Sequence, residues 1–184
     1  MKKPINPITF SICLECKKHQ KNCCNDSPRV PITIEDIERI HTLGFKIKDF
    51  LIAGEYSQES LVNDEDWWRN SMVNIKGKLY KINTKKKADG SCFFLKDGVG
   101  CTLGVLRPPI CKIYPFWVND KNEIVYEPEE KEYCYFGKQG MSISDGLKLI
   151  HENEEKIHAY FKKIKEDCLK NKNKHKELIL KIQK

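Results

Sequence analysis

Nine cysteines in a chain of 184 residues are the feature that most restricts how this sequence can fold. Eight of them lie where the sequence has no long helical periodicity: Cys13, Cys16, Cys23, Cys24, Cys92, Cys101, Cys111 and Cys134. Disulfide scaffolds are typically short secreted chains with an even number of cysteines. The odd count in a longer chain therefore favours thiols or metal-bound thiolates over a disulfide framework.

The spacing of these cysteines predicts metal ligation. The Cys13-x2-Cys16 turn can aim two sulfurs at one point, and thiolates are the soft ligands that select zinc, copper(I) or iron–sulfur clusters. A structural zinc site can contribute about 10 kcal/mol to folding, which would help an irregular segment to offset its chain entropy. We therefore expect all eight cysteines to serve as ligands, in one site or two.

Aromatic side chains crowd the cysteines and favour an iron–sulfur cluster, of the 4Fe-4S type, over zinc, because such a shell excludes water. A zinc ribbon usually brings two Cys-x2-Cys turns, and this sequence has one. Zinc stays the alternative, since ligation by cysteine alone suits both metals. Which of the adjacent Cys23 and Cys24 is a ligand is open, and His19 could replace one thiolate.

The ninth cysteine, Cys168, differs from the others. It follows Ile164 by four residues and Phe161 by seven, so it lies on the apolar face of a predicted helix. A buried cysteine behaves as a small hydrophobic residue. We expect Cys168 to pack in the core.

Local patterns predict short helices and strands. Thr33 suits a helix N-cap and Gly44 a C-terminal cap. Further expectations are a helix over 48–53, a strand over 78–82, a hairpin joining 114–118 to 123–126, a helix from Ser142 through Ile164, and a weakly amphipathic segment over 170–184. The expected fold class is α+β, with an irregular metal-stapled cysteine-cluster domain over 1–140 and a C-terminal helical extension over 141–184.

The ordered cysteine segments also carry a resemblance to a known family. The segments are Cys13-x2-Cys16-x6-Cys23-Cys24, Gly90-Ser91-Cys92-Phe93-Phe94, Gly100-Cys101-Thr102-Leu103, Arg107-Pro108-Pro109-Ile110-Cys111 and Tyr114-Pro115-Phe116, with Cys134 following. Over roughly 10–140 this arrangement resembles the CxxCxxCC zinc- or iron-chelating family, also called YkgJ-type cysteine cluster proteins. The resemblance implies metal chelation and leaves the reaction, if any, undefined.

Two residues beside the cysteines are candidates to bind the cofactor. Arg107 could hold a carboxylate, a phosphate or a cluster sulfide, or it could fix the Pro108-Pro109 turn. Tyr114 could donate a hydrogen bond to a sulfur, or merely pack. A related branch is similar to flagellin lysine N-methylases that use S-adenosylmethionine, which leaves an enzyme as an alternative. This sequence shows no glycine-rich strand–loop–helix for that cofactor.

The charge pattern limits the expected partners. The net charge is +7, and the excess is almost all lysine, with six lysines and no acid in 76–87. Nucleic-acid binders usually show arginine forks on a clustered stripe, so we expect a metal ion or cluster and a protein partner rather than nucleic acid. A zinc-stapled module that binds a partner or nucleic acid through Lys76–Lys87 and the C-terminal helix stays as an alternative. With no signal peptide and no apolar run of about 18 residues, we expect a cytoplasmic protein without membrane contact.

Overall fold

The computed structural model describes residues 24, 30–61, 65–126 and 134–184. Within these ranges it has eight α-helices, two short 3-10 helices and seven strands in three small sheets. The predicted α+β class with a helical C-terminal segment is confirmed. The described residues form two compact units, one within 29–85 and 163–184, the other comprising Cys24 and residues within 86–162. The domain boundary expected at residue 140 stays a prediction.

Helix α1 (Ile34–Thr42) in the first unit begins where the sequence predicts it. The Thr33 backbone is extended, and its hydroxyl oxygen accepts a hydrogen bond from the Asp36 N–H at 3.2 Å. Leu43 is the C-cap, and Gly44 follows with a φ of 91°, which glycine adopts without strain. The predicted cap residues therefore bound the helix.

A three-stranded antiparallel sheet forms the centre of the first unit, in the order β1 (Leu51–Tyr56), β3 (Lys78–Thr84), β2 (Val73–Ile75). The strand predicted over 78–82 is confirmed and extends to Thr84. Lys76 and Gly77 join β2 to β3 with φ values of 52° and 81°. A two-residue hairpin turn of type I′ requires positive φ at both positions.

The helix predicted over 48–53 is wrong in its second half. Helix α2 (Ile47–Phe50) is a single turn, and β1 starts directly after it at Leu51. Phe50 and Leu51 are both fully buried. Pairing of β1 with the distant strand β3 replaces the helical conformation, and short-range periodicity carries no information about such a partner.

The remaining helices of the first unit are α3 (Asp66–Asn70), the second half of α7 (Glu154–Lys170) and α8 (Lys172–Ile182). The amphipathic segment predicted over 170–184 is thus a helix, and it packs against all three strands of the sheet. Ile179 is fully buried in this contact region, and Cys168 on α7 is 7 % exposed. The predicted packing role of Cys168 is therefore confirmed.

The second unit consists of short elements. They are β4 (Leu95–Lys96), β5 (Gly100–Cys101), α4 (Pro109–Ile113), β6 (Phe116–Val118), β7 (Ile124–Tyr126), α5 (Tyr135–Lys138), α6 (Ile143–Leu149) and the first half of α7. The predicted hairpin is confirmed as β6 and β7, and the Asn119 side chain accepts hydrogen bonds from the Lys121 and Glu123 N–H groups in its turn.

The long helix predicted from Ser142 is interrupted. Ser142 caps α6 as expected, but α6 ends at Leu149 with Ile150 as its C-cap, and His151 has a φ of 58°. A new helix then starts, with the Asn153 side chain accepting a hydrogen bond from the Lys156 N–H at 2.9 Å. An asparagine that suits an N-cap explains the restart of the helix at this position.

Phe116 of β6 lies in the core of the second unit and is 1 % exposed. Its ring centroid is 5.2 Å from that of Tyr126 and 6.2 Å from that of Phe136. Gly146 of α6 lies against the same ring, and a Cβ there would be 2.6 Å from the Phe116 Cζ atom. The helix therefore approaches Phe116 only because residue 146 has no side chain.

Candidate metal centre

Five of the eight predicted ligands fall in the part of the chain that the structure describes. Cys24, Cys92, Cys101, Cys111 and Cys134 are present there as reduced thiols. Cys13, Cys16 and Cys23 lie outside the described residues, and so does His19. The geometry of the candidate site is therefore built from the five described cysteines.

Backbone hydrogen bonds bring the first three of these cysteines together. The Cys92 N–H donates to the Cys24 carbonyl oxygen at 2.7 Å, which joins two segments that are far apart in sequence. The Leu95 N–H donates to the Cys92 carbonyl oxygen at 3.0 Å. Leu95 then pairs with Cys101 across the β4–β5 ladder. Each cysteine is thus positioned by main-chain contacts rather than by side-chain packing alone.

Cys111 is positioned by helix α4. Pro109 occupies the first turn, where the missing N–H of proline costs no hydrogen bond. The Cys111 N–H donates to the Pro108 carbonyl oxygen at 2.9 Å. The Arg-Pro-Pro-x-Cys sequence therefore folds as an extended arm followed by one helical turn, with Arg107 just before the turn and Cys111 within it.

The pKa of Cys101 is raised to about 12, chiefly by burial and in smaller part by the neighbouring thiols of Cys24 and Cys92. Two groups oppose this effect, namely the Leu103 N–H, which hydrogen-bonds the sulfur, and the charge of Arg107. A second negative charge near a thiolate disfavours ionisation, whereas a cation favours it. The direction of these effects places Cys24, Cys92 and Arg107 within electrostatic reach of Cys101.

The same neighbours act on Cys111. Burial raises its pKa well above the ordinary value, the thiols of Cys101, Cys24 and Cys92 add to the rise, and Arg107 lowers it. Four cysteines from four different sequence segments therefore share one electrostatic environment. Such a group of desolvated sulfurs carries its negative charge at low cost only next to a cation.

A repeated local pattern places buried apolar residues close in sequence to these thiols. Cys92, Cys101 and Cys111 are each followed two residues later by a buried apolar side chain. These side chains are Phe94, Leu103 and Ile113, which are at most 2 % exposed. Apolar residues around a metal site limit solvent access and lower the local dielectric constant. This spacing is visible in the sequence and could have identified these three buried positions.

The described side chains do not complete a coordination shell. Within residues 24, 30–61, 65–126 and 134–184, no three His, Cys, Asp or Glu side chains are arranged to hold a metal ion. The thiols are close enough to shift one another's pKa but do not converge on a single point. The donor set nevertheless fits a soft metal, because it consists of thiols.

Arg107 is 9 % exposed and links the thiols to a second polar group. Burial and the charge of Glu152 raise the pKa of Tyr160, and Arg107 lowers it. The Lys112 Nζ atom lies 5.0 Å from the centroid of the Tyr160 ring. The sequence predicted a role for Arg107, but Tyr160 and Glu152 had no distinguishing pattern on their amphipathic helix and were missed.

Cys134 and Tyr114 are the two other predicted site residues that the structure describes, and each lies beside a different helix. Cys134 is buried just before α5 and raises the pKa of Tyr126, an effect second to burial of that hydroxyl. Tyr114 is the C-cap of α4, and its peptide bond to Pro115 is cis. The ligand role of Cys134 and the cofactor-binding roles of Tyr114 and Arg107 stay predictions.

The lysine-rich segment 76–87 has most of its charge engaged in internal contacts. Lys81 is buried, Lys78 forms an ion pair with Glu55 at 3.0 Å, and Lys85 donates to the Lys48 carbonyl oxygen at 2.6 Å. Lys87 donates to the Leu95 carbonyl oxygen. These contacts do not favour the nucleic-acid alternative, which needs a clustered basic surface.

Thiols gathered from separate segments are typical of proteins that chelate metals through cysteine. A family model named CxxCxxCC, with the description "Putative zinc- or iron-chelating domain", matches residues 13–135. The match covers more than half of the chain, so the protein belongs to this family. Membership confirms the resemblance noted in the sequence and the expectation of a zinc- or iron-chelating metal-binding domain.

The other comparisons add no relative. No curated protein and no solved structure matches the chain. Among the described residues, none of the helices combines the length and the apolar character that crossing a bilayer requires.

Proposed function

We propose that this protein holds an iron–sulfur cluster of the 4Fe-4S type and acts in electron transfer, redox sensing or metal handling. One observation carries the proposal, namely that the thiols of Cys24 and Cys92 raise the pKa of both Cys101 and Cys111, although the four cysteines come from four different sequence segments. Thiols that are unrelated in function have no reason to share a buried site where they make ionisation of one another less favourable.

The ligands in this proposal are Cys24, Cys92, Cys101 and Cys111. When bound, a cluster of this kind accepts and returns one electron at a potential that depends on burial and on nearby charge. Cys13, Cys16, Cys23 and Cys134 are further candidates, for the same site or for a second one. A reducing compartment suits such thiols, and we therefore place the protein in the cytoplasm.

The remaining side chains of the site exclude water and supply charge. Phe94, Leu103 and Ile113 are buried two residues after a candidate ligand, and we assign them to an apolar lining that lowers the local dielectric constant. The buried Arg107 guanidinium offsets part of the negative charge of the thiolates, since its charge already lowers the pKa of both Cys101 and Cys111. We assign Arg107 to charge compensation of the cluster rather than to substrate binding.

Zinc is the second candidate. The family description names zinc and iron together, and an all-thiolate donor set suits either metal. The zinc-binding and S-adenosylmethionine-dependent alternatives stay predictions. Zinc would act as a structural clip without redox chemistry.

Anaerobic purification followed by analysis of iron, acid-labile sulfide and zinc tests the proposal. We expect a brown protein with about four iron and four sulfide per chain and an absorbance that bleaches on reduction. A colourless protein with bound zinc and no sulfide would overturn the iron–sulfur proposal and establish zinc as the metal. A protein without bound metal after anaerobic reconstitution with iron and sulfide, and after incubation with zinc, would overturn both.

A further inference from the structure

Lys81 has an unusual position for a lysine. It lies in the middle of the central strand β3 and is 6 % exposed. Its Nζ atom is 3.2 Å from the Cys168 Sγ atom and 3.7 Å from the centroid of the Trp68 ring. Lysine is almost never fully buried without a specific reason, so this contact requires an explanation beyond packing.

Cys168 presents its sulfur to this amine from helix α7. It is 7 % exposed, and the Ser71 side chain is close enough to influence its pKa. Burial raises the pKa of the thiol, whereas Lys81 and Ser71 lower it. Cys168 lies outside the residues 13–135 that match the metal-chelating family, and it is not among the cysteines proposed as ligands.

We propose that Lys81 and Cys168 form an oxidative crosslinking site at which hydrogen peroxide couples the two side chains through a sulfur–nitrogen bond. In the first step the thiol gives two electrons to peroxide, the O–O bond breaks, and a sulfenic acid and one water are formed. In the second step the neutral amine attacks the sulfur, the S–O bond breaks, and the hydroxyl leaves with one amine proton as a second water. Sulfenic acids condense with nitrogen in this way to give sulfenamides.

The crosslink would join the central strand of the first unit to helix α7. Because burial keeps Cys168 protonated, oxidation is slow at neutral pH and faster at alkaline pH, where more thiolate forms. Peroxide reaches the sulfur through local opening of the surrounding structure, since the pair itself is buried. A thiol reductant reverses the bond, so the site would respond to prolonged oxidation and recover afterwards.

Peptide mapping of the intact protein tests the proposal directly. The full chain is incubated with hydrogen peroxide, remaining thiols are alkylated in denaturant, and the protein is digested with trypsin without reductant. We expect peptide 79–85, uncut at Lys81, joined to peptide 166–170 with the loss of two hydrogens, and separation of the two by dithiothreitol. The joined species should become the main form of the Cys168 peptide and should form faster as pH rises.

Variants define the specificity of the coupling. Lys81→Arg and Lys81→Met should abolish the joined peptide, whereas Lys78→Arg on the exposed part of the same strand should leave it unchanged. Circular dichroism checks that each variant is folded. The proposal is overturned if wild-type Cys168 is still alkylated after oxidation, or if it is found as sulfinic acid while trypsin still cuts at Lys81. Alkylation of Cys168 and tryptic cleavage at Lys81 are both measured on wild-type protein, and neither measurement depends on whether iron or zinc is bound.

Discussion

The Asp167 carboxylate on α7 accepts a hydrogen bond from the His175 Nε2 atom on α8 at 2.9 Å, and both side chains are buried. The same carboxylate accepts from the Asn171 side chain at 2.8 Å and from the Ile34 N–H at 3.2 Å. One acidic side chain thus connects three helices of the first unit. It also satisfies an N–H at the start of α1 that has no partner within that helix.

This connection predicts a specific loss of stability in acid. Burial is the largest single influence on Asp167 and would raise its pKa, but the hydrogen bonds from His175, Asn171 and Ile34 prevail and lower it. Because the folded-state pKa is below the unfolded value of about 3.9, the stabilisation is complete above that pH. It is lost as pH falls through the folded-state pKa. We expect Asp167→Asn to cost about 1–3 kcal/mol at neutral pH and to flatten this acid dependence.

Urea unfolding at a series of pH values from neutral to acid measures both effects. The exposed Glu177 on α8 provides the matched control, because Glu177→Gln removes a carboxylate from the same helix without touching the connection. Parallel stability curves for wild type and Asp167→Asn over the acid range would contradict the assignment.

Gly146→Ala should destabilise the protein, although alanine normally improves a helix by about 1 kcal/mol. The new Cβ would lie 2.6 Å from Phe116 Cζ and 3.2 Å from Phe136 Cδ1. Overpacking of this kind costs about 1–3 kcal/mol, which we expect to see as a lower thermal midpoint. Ser144→Ala, at an exposed position of the same helix, should show no such loss.

A double variant distinguishes this contact from other effects. Phe116→Leu shortens the side chain that the new methyl group meets, so Gly146→Ala should cost less in that background. Additive free energies in the double-mutant cycle would show that the two positions do not interact.

Serine substitutions at the candidate ligands should lower the metal content of the purified protein. Cys92→Ser, Cys101→Ser and Cys111→Ser each remove one of the coupled thiols, so we expect less bound metal per chain and lower thermal stability. Cys168→Ser is the matched control and should retain the wild-type metal content. Equal metal content in all four variants would exclude these cysteines as ligands.

Arg107 should set the reduction potential if the site holds a cluster. Removing a buried positive charge favours the more positively charged oxidised form, so Arg107→Met should make the midpoint potential more negative. Arg107→Lys retains the charge and should shift the potential less. Spectroelectrochemical titration measures both values, and an unchanged potential in Arg107→Met would contradict charge compensation.

Several elements could be predicted because their determinants are close in sequence. Thr33 with Gly44 bounds α1, and Ser142 with Asp145 starts α6, since capping depends on residues within one or two turns. The hairpin around Asn119 follows from its turn residues. The metal-chelating class was likewise readable from the order of the cysteines, which is a property of the sequence itself.

Other features depend on contacts between distant residues. The strand conformation of 51–56 requires the partner β3, and the burial of Lys81 requires both β3 and α7. Lys81 looked like one of six lysines in a solvated basic run. His175 and Asp167 looked like ordinary polar positions on amphipathic helices. In each case the residue type suggested exposure, and long-range packing determined otherwise.

The Lys76-Gly77 turn has a consequence for the order of folding. Positive φ at both turn positions and the hydrogen bond from the Gly77 N–H to the Asn74 side chain make the β2–β3 hairpin a local structure. Hairpins form within about 1–10 microseconds, whereas joining β1 to β3 must close a longer loop. We expect the hairpin to be structured in the folding transition state. Substitutions at Val73 and Tyr80 should therefore slow folding by nearly their full effect on stability, which corresponds to kinetic φ-values near 1. The strand β1 and the last helix, α8, would then assemble onto the hairpin. Substitutions within β1 and α8 would therefore mainly accelerate unfolding.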